Sequence, residues 1–129
     1  MKKILILIFV LISTALSKAS ETDPVVIDFQ KIDYFSQENG EIELLKTRWI
    51  DGYYIFTGNA IIIQEPNHKY KFNLSDLKYE LDDGNLVAVG NLKDAKDGEE
   101  FNMVIVINNG RTTLFLVHGN LTIQYSEKR

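Results

Sequence analysis

Asp51-Gly52-Tyr53-Tyr54-Ile55-Phe56-Thr57-Gly58-Asn59-Ala60 and Asp83-Gly84-Asn85-Leu86-Val87-Ala88-Val89-Gly90-Asn91-Leu92 share one layout. Each reads Asp-Gly, five residues, Gly-Asn, then an apolar residue. Phe115-Leu116-Val117-His118-Gly119-Asn120-Leu121-Thr122-Ile123 keeps the Gly-Asn half, and Asn39-Gly40-Glu41-Ile42-Glu43-Leu44 is a degenerate earlier copy. The flanking residues alternate with period two, the mark of half-buried strands. A Gly-Asn pair can be a hairpin loop. Here, however, the alternation runs through it unbroken. Tyr54, Phe56, Gly58, Ala60 and Ile62 fall on one face, as do Leu86, Ala88, Gly90 and Leu92, and as do Phe115, Val117, Gly119, Leu121 and Ile123. The expectation is that Gly58, Gly90 and Gly119 are strand-bend glycines lying within strands. Hairpins are then expected to turn at Gly40, Gly52, Gly84 and Gly110, and two further loops at Glu65-Pro66-Asn67-His68 and Asp94 to Glu100.

The rest of the chain agrees with an all-β protein. Its 129 residues suit one domain, with 45% hydrophobic and 25% charged residues, ordinary for a folded globular chain. One Trp, six Tyr and seven Phe against two Pro favour strands. The best helical stretch, Ser75 to Leu81, is broken by Asp82-Asp83-Gly84-Asn85. Met103 to Ile107 is apolar at every position, so both faces of that strand are greasy, where a strand with one wet face would alternate. Core packing, a subunit contact or a lipid cavity each accounts for such a strand.

Residues 1–19 read as an export signal: Lys2-Lys3, the apolar run Ile4 to Ile12, and Ser17-Lys18-Ala19 before a cleavage point. The run is shorter than the roughly 18–20 residues a membrane span needs. The domain is then 20–129, periplasmic after cleavage. It keeps eleven of fourteen cations against all eighteen acids, a net charge of −7. So acidic a surface repels a phosphate backbone, and nucleic acid is not expected as a partner.

Three stretches in order resemble the OstA-like (organic-solvent-tolerance) family, periplasmic lipopolysaccharide-transport proteins of the LptA type. They are Gly58-Asn59-Ala60-Ile61-Ile62-Ile63-Gln64, Phe72-Asn73-Leu74-Ser75-Asp76-Leu77-Lys78-Tyr79-Glu80-Leu81, and Asp83 through Leu92. The resemblance spans about Asp51 to Ile123, roughly two thirds of the mature chain. It implies an antiparallel β-jellyroll (β-taco) of about nine or ten strands, with lipid or lipopolysaccharide acyl chains held in an apolar interior. The alternation assigns that lipid-binding interior to Phe56, Ala60, Ile62, Leu86, Ala88, Leu92, Phe115, Val117, Leu121 and Ile123. An anionic head group would need Lys46, Arg48, Lys69, Lys71 and Arg111 gathered at one mouth. The resemblance also implies open edge strands. The candidates are Val25 to Phe29 and Leu121 to Tyr125, which would pair with a second copy or another jellyroll protein. The alternative is a secreted all-β structural or interaction module with a packed core and no ligand.

Other chemistry is thinly supplied. There is no cysteine, hence no disulfide, thiolate nucleophile or cysteine metal cage. His68 and His118 have no second ligand group at metal spacing. Asp82-Asp83-Gly84-Asn85 lacks the spacing of a calcium loop. No catalytic residue, metal or cofactor is assigned, and an enzyme is not expected.

Overall fold

The computed structural model describes residues 24–57 and 59–127. The 1–19 signal expectation and Gly58 lie outside the described residues. Eight strands follow one another without a described helix: β1 (Val25–Glu38), β2 (Glu41–Phe56), β3 (Ala60–Gln64), β4 (Lys69–Asp82), β5 (Asn85–Asp94), β6 (Glu100–Asn108), β7 (Arg111–His118) and β8 (Leu121–Ser126). Each pairs antiparallel with the next, and β8 returns to β1, so the single sheet closes into an up-and-down barrel. Ser75 to Leu81, the best helical stretch in the sequence, runs as strand within β4.

The turns at Gly40, Gly84 and Gly110 form as expected. Asn39-Gly40, Asp83-Gly84 and Asn109-Gly110 all take positive φ, between 52° and 81°. That is the two-residue hairpin geometry that matches strand twist, and Asn, Asp and Gly tolerate it best.

Two glycines exchange roles. Gly52 does not turn the chain; it sits inside β2 opposite Phe29. A Cβ there would overlap the Phe29 ring and the Gln64 carbonyl, so the glycine makes room for packing. Gly119, expected within a strand, is in the β7–β8 turn with φ 58°. Gly90 does lie within a strand, β5, facing a bulge in β4 where Asp76 takes φ 55°. Asn91 donates to the Asp76 carboxylate at 3.0 Å across that bulge. Bulges also occur in the β1–β2 ladder, between Phe29 and Lys31 and between Tyr34 and Phe35. They bend β1, β2 and β4 without cutting them. That is why eight strands stand where nine or ten are expected.

Closure also removes one expected edge. Leu121 to Tyr125 is paired on both sides, to β7 and to β1. On its β8 side β1 is paired only over Lys31 to Ser36, so Val25 to Phe29 keeps one edge without a described partner. A longer edge without a described neighbouring strand arises because β3 has five residues. It covers only Tyr53 to Phe56 of β2, leaving Glu41 to Gly52 without a described strand on that side.

Candidate functional site

The inward faces of all eight strands meet in one apolar cluster. Phe29 and Ile32, Tyr54 and Phe56, Ile61 and Ile63, Phe72 and Leu74, Leu86, Ala88 and Leu92, Met103, Ile105 and Ile107, Leu114 and Leu116, and Tyr125 all belong to it. Most of these are 0–3% exposed, so hardly any of their surface faces a space that a water could occupy. The room expected beside Ala88 and Gly90 is filled. Leu74 Cδ1 would stand 2.8 Å from a Cβ at Gly90, with Met103 Cε at 3.5 Å.

Phe56, Leu86, Ala88 and Leu92 face this interior as expected, and Leu121 and Ile123 share the inward side of β8 with Tyr125. Phe115 and Val117 do not: Leu114 and Leu116 point in, leaving those two half-buried on the outer face. Ile62 is likewise outward, since Ile61 and Ile63 pair with Phe56 and Tyr54. Ala60 is buried at 7%, but its position in the alternation is outward. Both reversals have one cause. Gly119-Asn120 forms a two-residue loop that pairs His118 with Leu121, and Thr57 N–H bonds the Ala60 carbonyl at 3.0 Å, again joining residues three apart. Such a loop changes which parity of residue faces inward.

The doubly apolar β6 resolves the same way. Met103, Ile105 and Ile107 point in, while Val104 and Val106 are half-buried outside. Val104 lies between Val89 and Phe115 on that outer surface.

A polar cluster lies toward the barrel end that carries the β1–β2 and β3–β4 turns. Arg48 is inward on β2 beside Ile32 and Tyr34 on β1. Its Nη1 donates to Tyr34 Oη at 3.0 Å and its Nη2 meets Glu65 Oε1 at 3.0 Å. The Glu65 side chain is 3% exposed and that of Arg48 31%. The Tyr34 hydroxyl, and after it Glu65, hold the guanidinium firmly in its charged form. Burial pushes Tyr70 up, with Glu65 adding to the effect. Lys46, Lys69 and Lys71 are exposed on this half of the molecule, whereas Arg111 opens β7 just after the β6–β7 turn at the opposite end. The expected gathering of five cations is therefore not formed.

The surface that the sequence reading missed is the ribbon made by β1 and the first half of β2. Ile42, Leu44, Leu45 and Trp49 are 69%, 54%, 55% and 63% exposed. They are four of the eight large hydrophobics left exposed among the described residues, and they fall within eight consecutive positions. Lys31 Nζ sits 5.3 Å over the Trp49 ring. Beside the ribbon, Ile42, Phe35, Phe115 and Thr122 line a shallow groove of about 300 Å³. Sequence signals for it exist: Leu44-Leu45 interrupts the alternation, and acids precede bases along the same strand.

His118 joins β7 to the β5–β6 loop, with Nδ1 at 2.9 Å from the Glu100 carbonyl and Nε2 at 3.0 Å from Glu99. Among the described residues no group of three or more His, Asp or Glu is arranged to hold a metal. Comparison with protein-family models, with curated proteins and with solved structures gives no match.

Proposed function

We propose that the chain is an exported all-β interaction module, a barrel with a packed interior that engages a protein chain through the β1–β2 ribbon. The observation that carries this is the combination on one strand. Glu41 to Arg48 has a backbone edge with no described strand beside it, and the same ribbon exposes the side chains of Ile42, Leu44, Leu45 and Trp49. Apolar residues clustered on a surface mark a contact site, and an unpaired strand edge offers main-chain hydrogen bonds to an added strand. An acyl-chain carrier of the lipopolysaccharide-transport kind is the reading that the sequence resemblance raises. The near-zero exposure of the inward side chains and the paired β1–β8 seam favour the interaction module over it.

The test is a photo-crosslinking residue at Leu45, with one at the outward Lys78 as control, in cells that produce and export the chain. A protein adduct at position 45 and none at position 78 is expected. N-terminal sequencing of the same exported material should begin at or within two residues of Ser20. Lipid adducts alone, or none, at position 45 would overturn the ribbon as a protein-docking element.

A further inference from the structure

We infer that the strand docked on this ribbon is the same ribbon of a second copy, paired antiparallel about a two-fold axis so that Glu43 of each copy faces Lys46 of the other. This rests on the reading of the β2 edge as a docking element and names its partner.

The two-fold axis of such a pair stands perpendicular to the sheet, so opposite residues must lie on the same face. In a regular strand that forbids an even-numbered residue facing an odd-numbered one. The bulge at Leu45 lifts the restriction. Tyr34 pairs with Lys46 and Phe35 with Leu44, so Leu45 has no opposite residue. Ser36 follows the parity of Tyr34 and Ile32, and their partners are Glu43, Lys46 and Arg48. Glu43, Lys46 and Arg48 therefore share the inward-facing side of the ribbon, while Ile42, Leu44 and Thr47 share the other.

One register then satisfies every position. Placing Leu44 of one copy opposite Leu45 of the other brings Glu43 to Lys46 and Glu41 to Arg48 on one face, each twice by symmetry. On the opposite face, four leucines meet at the axis, and Ile42 stands against Thr47. A slip of two residues in either direction keeps at most one acid opposite a base. The order of charge along the strand, acids first and bases second, makes the edge self-complementary in the antiparallel sense, as an isologous contact requires. Neither Glu43 nor Lys46 has an ion-pair partner within the described residues. Arg48 already holds Glu65 and Tyr34, so the Glu43–Lys46 pair fixes the register.

The experiment is a charge swap on the purified mature chain, read by sedimentation velocity across a concentration series. Wild type is expected to dimerise with concentration. Glu43→Lys alone places lysines opposite lysines, and Lys46→Glu alone places acids opposite acids. Each should weaken association by about tenfold or more, because like charges in register are strongly disfavoured. Mixing the two variants in equal amounts restores both pairs and should restore a 1:1 dimer, and the Glu43→Lys/Lys46→Glu double variant should self-associate like wild type. Both positions are exposed, and unchanged melting curves will verify that each variant folds. A wild type that stays monomeric to millimolar concentration overturns the self-pairing. So do single variants that dimerise normally, or a mixture that does not recover. A monomer whose position-45 adduct is a different protein would overturn this inference and leave the docking reading standing.

Discussion

Tyr54 carries a contradiction that a single substitution can expose. The side chain is fully buried, faces Ile27 and Ile63 across the sheet, and stacks against Phe29 at 6.4 Å. Its hydroxyl has no hydrogen-bond partner among the described residues. A buried, unpartnered hydroxyl forfeits its bonds to water, a loss of about 1–3 kcal/mol. Burial also pushes its ionisation far above the ordinary value of 10.0. A folded-state pKa raised in this way gives a contribution that is complete below pH 10 and is lost as pH rises beyond it. Tyr125 acts in the same direction, mainly through burial. Tyr54→Phe is therefore expected to stabilise the fold by about 1 kcal/mol, roughly 4 °C in Tm for a domain this size, and to reduce the stability lost between pH 10 and 11. Thermal melts at pH 7 and across that range check both; a lower Tm at pH 7 would show that the hydroxyl is satisfied. The inward position of Tyr54 was legible in the alternation with Phe56. The state of its hydroxyl was not, because its burial is complete only once strands distant in sequence close around it. Phe115 and Val117 show the complementary limit. Their own strand alternates correctly, but the choice of inward parity depends on whether Gly119-Asn120 bends or turns, and a Gly-Asn pair permits both.

The β1–β2 ribbon depends on lengths that the sequence hides. Asn39-Gly40 announced its turn because two successive residues with positive φ demand that chemistry. Gly52 carries the kindred Asp-Gly signature and yet continues the strand, because what it accommodates is the Phe29 ring rather than a turn. The resulting strand of 16 residues outruns its five-residue neighbour β3, and Arg48 is the residue that anchors the overhang to the barrel. It reaches from β2 to Glu65 just past β3, tying the uncovered strand to the covered one. Arg48→Met should leave the Glu65 carboxylate, 3% exposed, without its cation. Because the Arg48 side is open to water, the loss should be about 1–3 kcal/mol, short of what a fully buried pair shows. Adding Glu65→Gln removes the stranded charge, so the double variant should be more stable than the sum of the two single losses predicts. Denaturant unfolding of the four-member cycle measures the coupling, expected at about 0.5–2 kcal/mol. Additive losses would mean that the ion pair does not fasten the ribbon.

At the scale of the molecule, the all-β class was legible in the period-two pattern, but closure was not. The β1–β8 seam joins the two ends of the domain, and no local signal in Lys31 to Ser36 or in Leu121 to Ser126 names the other as its partner. Closure decides what the interior can do. An eight-stranded barrel has an inside just wide enough to be filled by side chains or to hold one small ligand. Here Phe29, Tyr54, Phe56, Phe72 and Met103 supply the filling, each 0–4% exposed. Ala88, at 6%, is the small residue on which the two outcomes differ most. In a filled barrel, Ala88→Trp forces the large ring against neighbours such as Ile105 and Tyr79, which pair with it across the sheet. Overpacking of that kind costs about 1–3 kcal/mol or more. In a lipid-holding barrel, the ring would instead take the place of an acyl chain and leave the fold intact. The expected result is a clearly lowered Tm for Ala88→Trp, together with organic extracts of the exported wild-type protein that contain no stoichiometric lipid by mass spectrometry. A folded Ala88→Trp variant that has lost a lipid present in wild type would reverse the assignment. Function would then belong to the interior, and the ribbon would be a secondary feature of the surface.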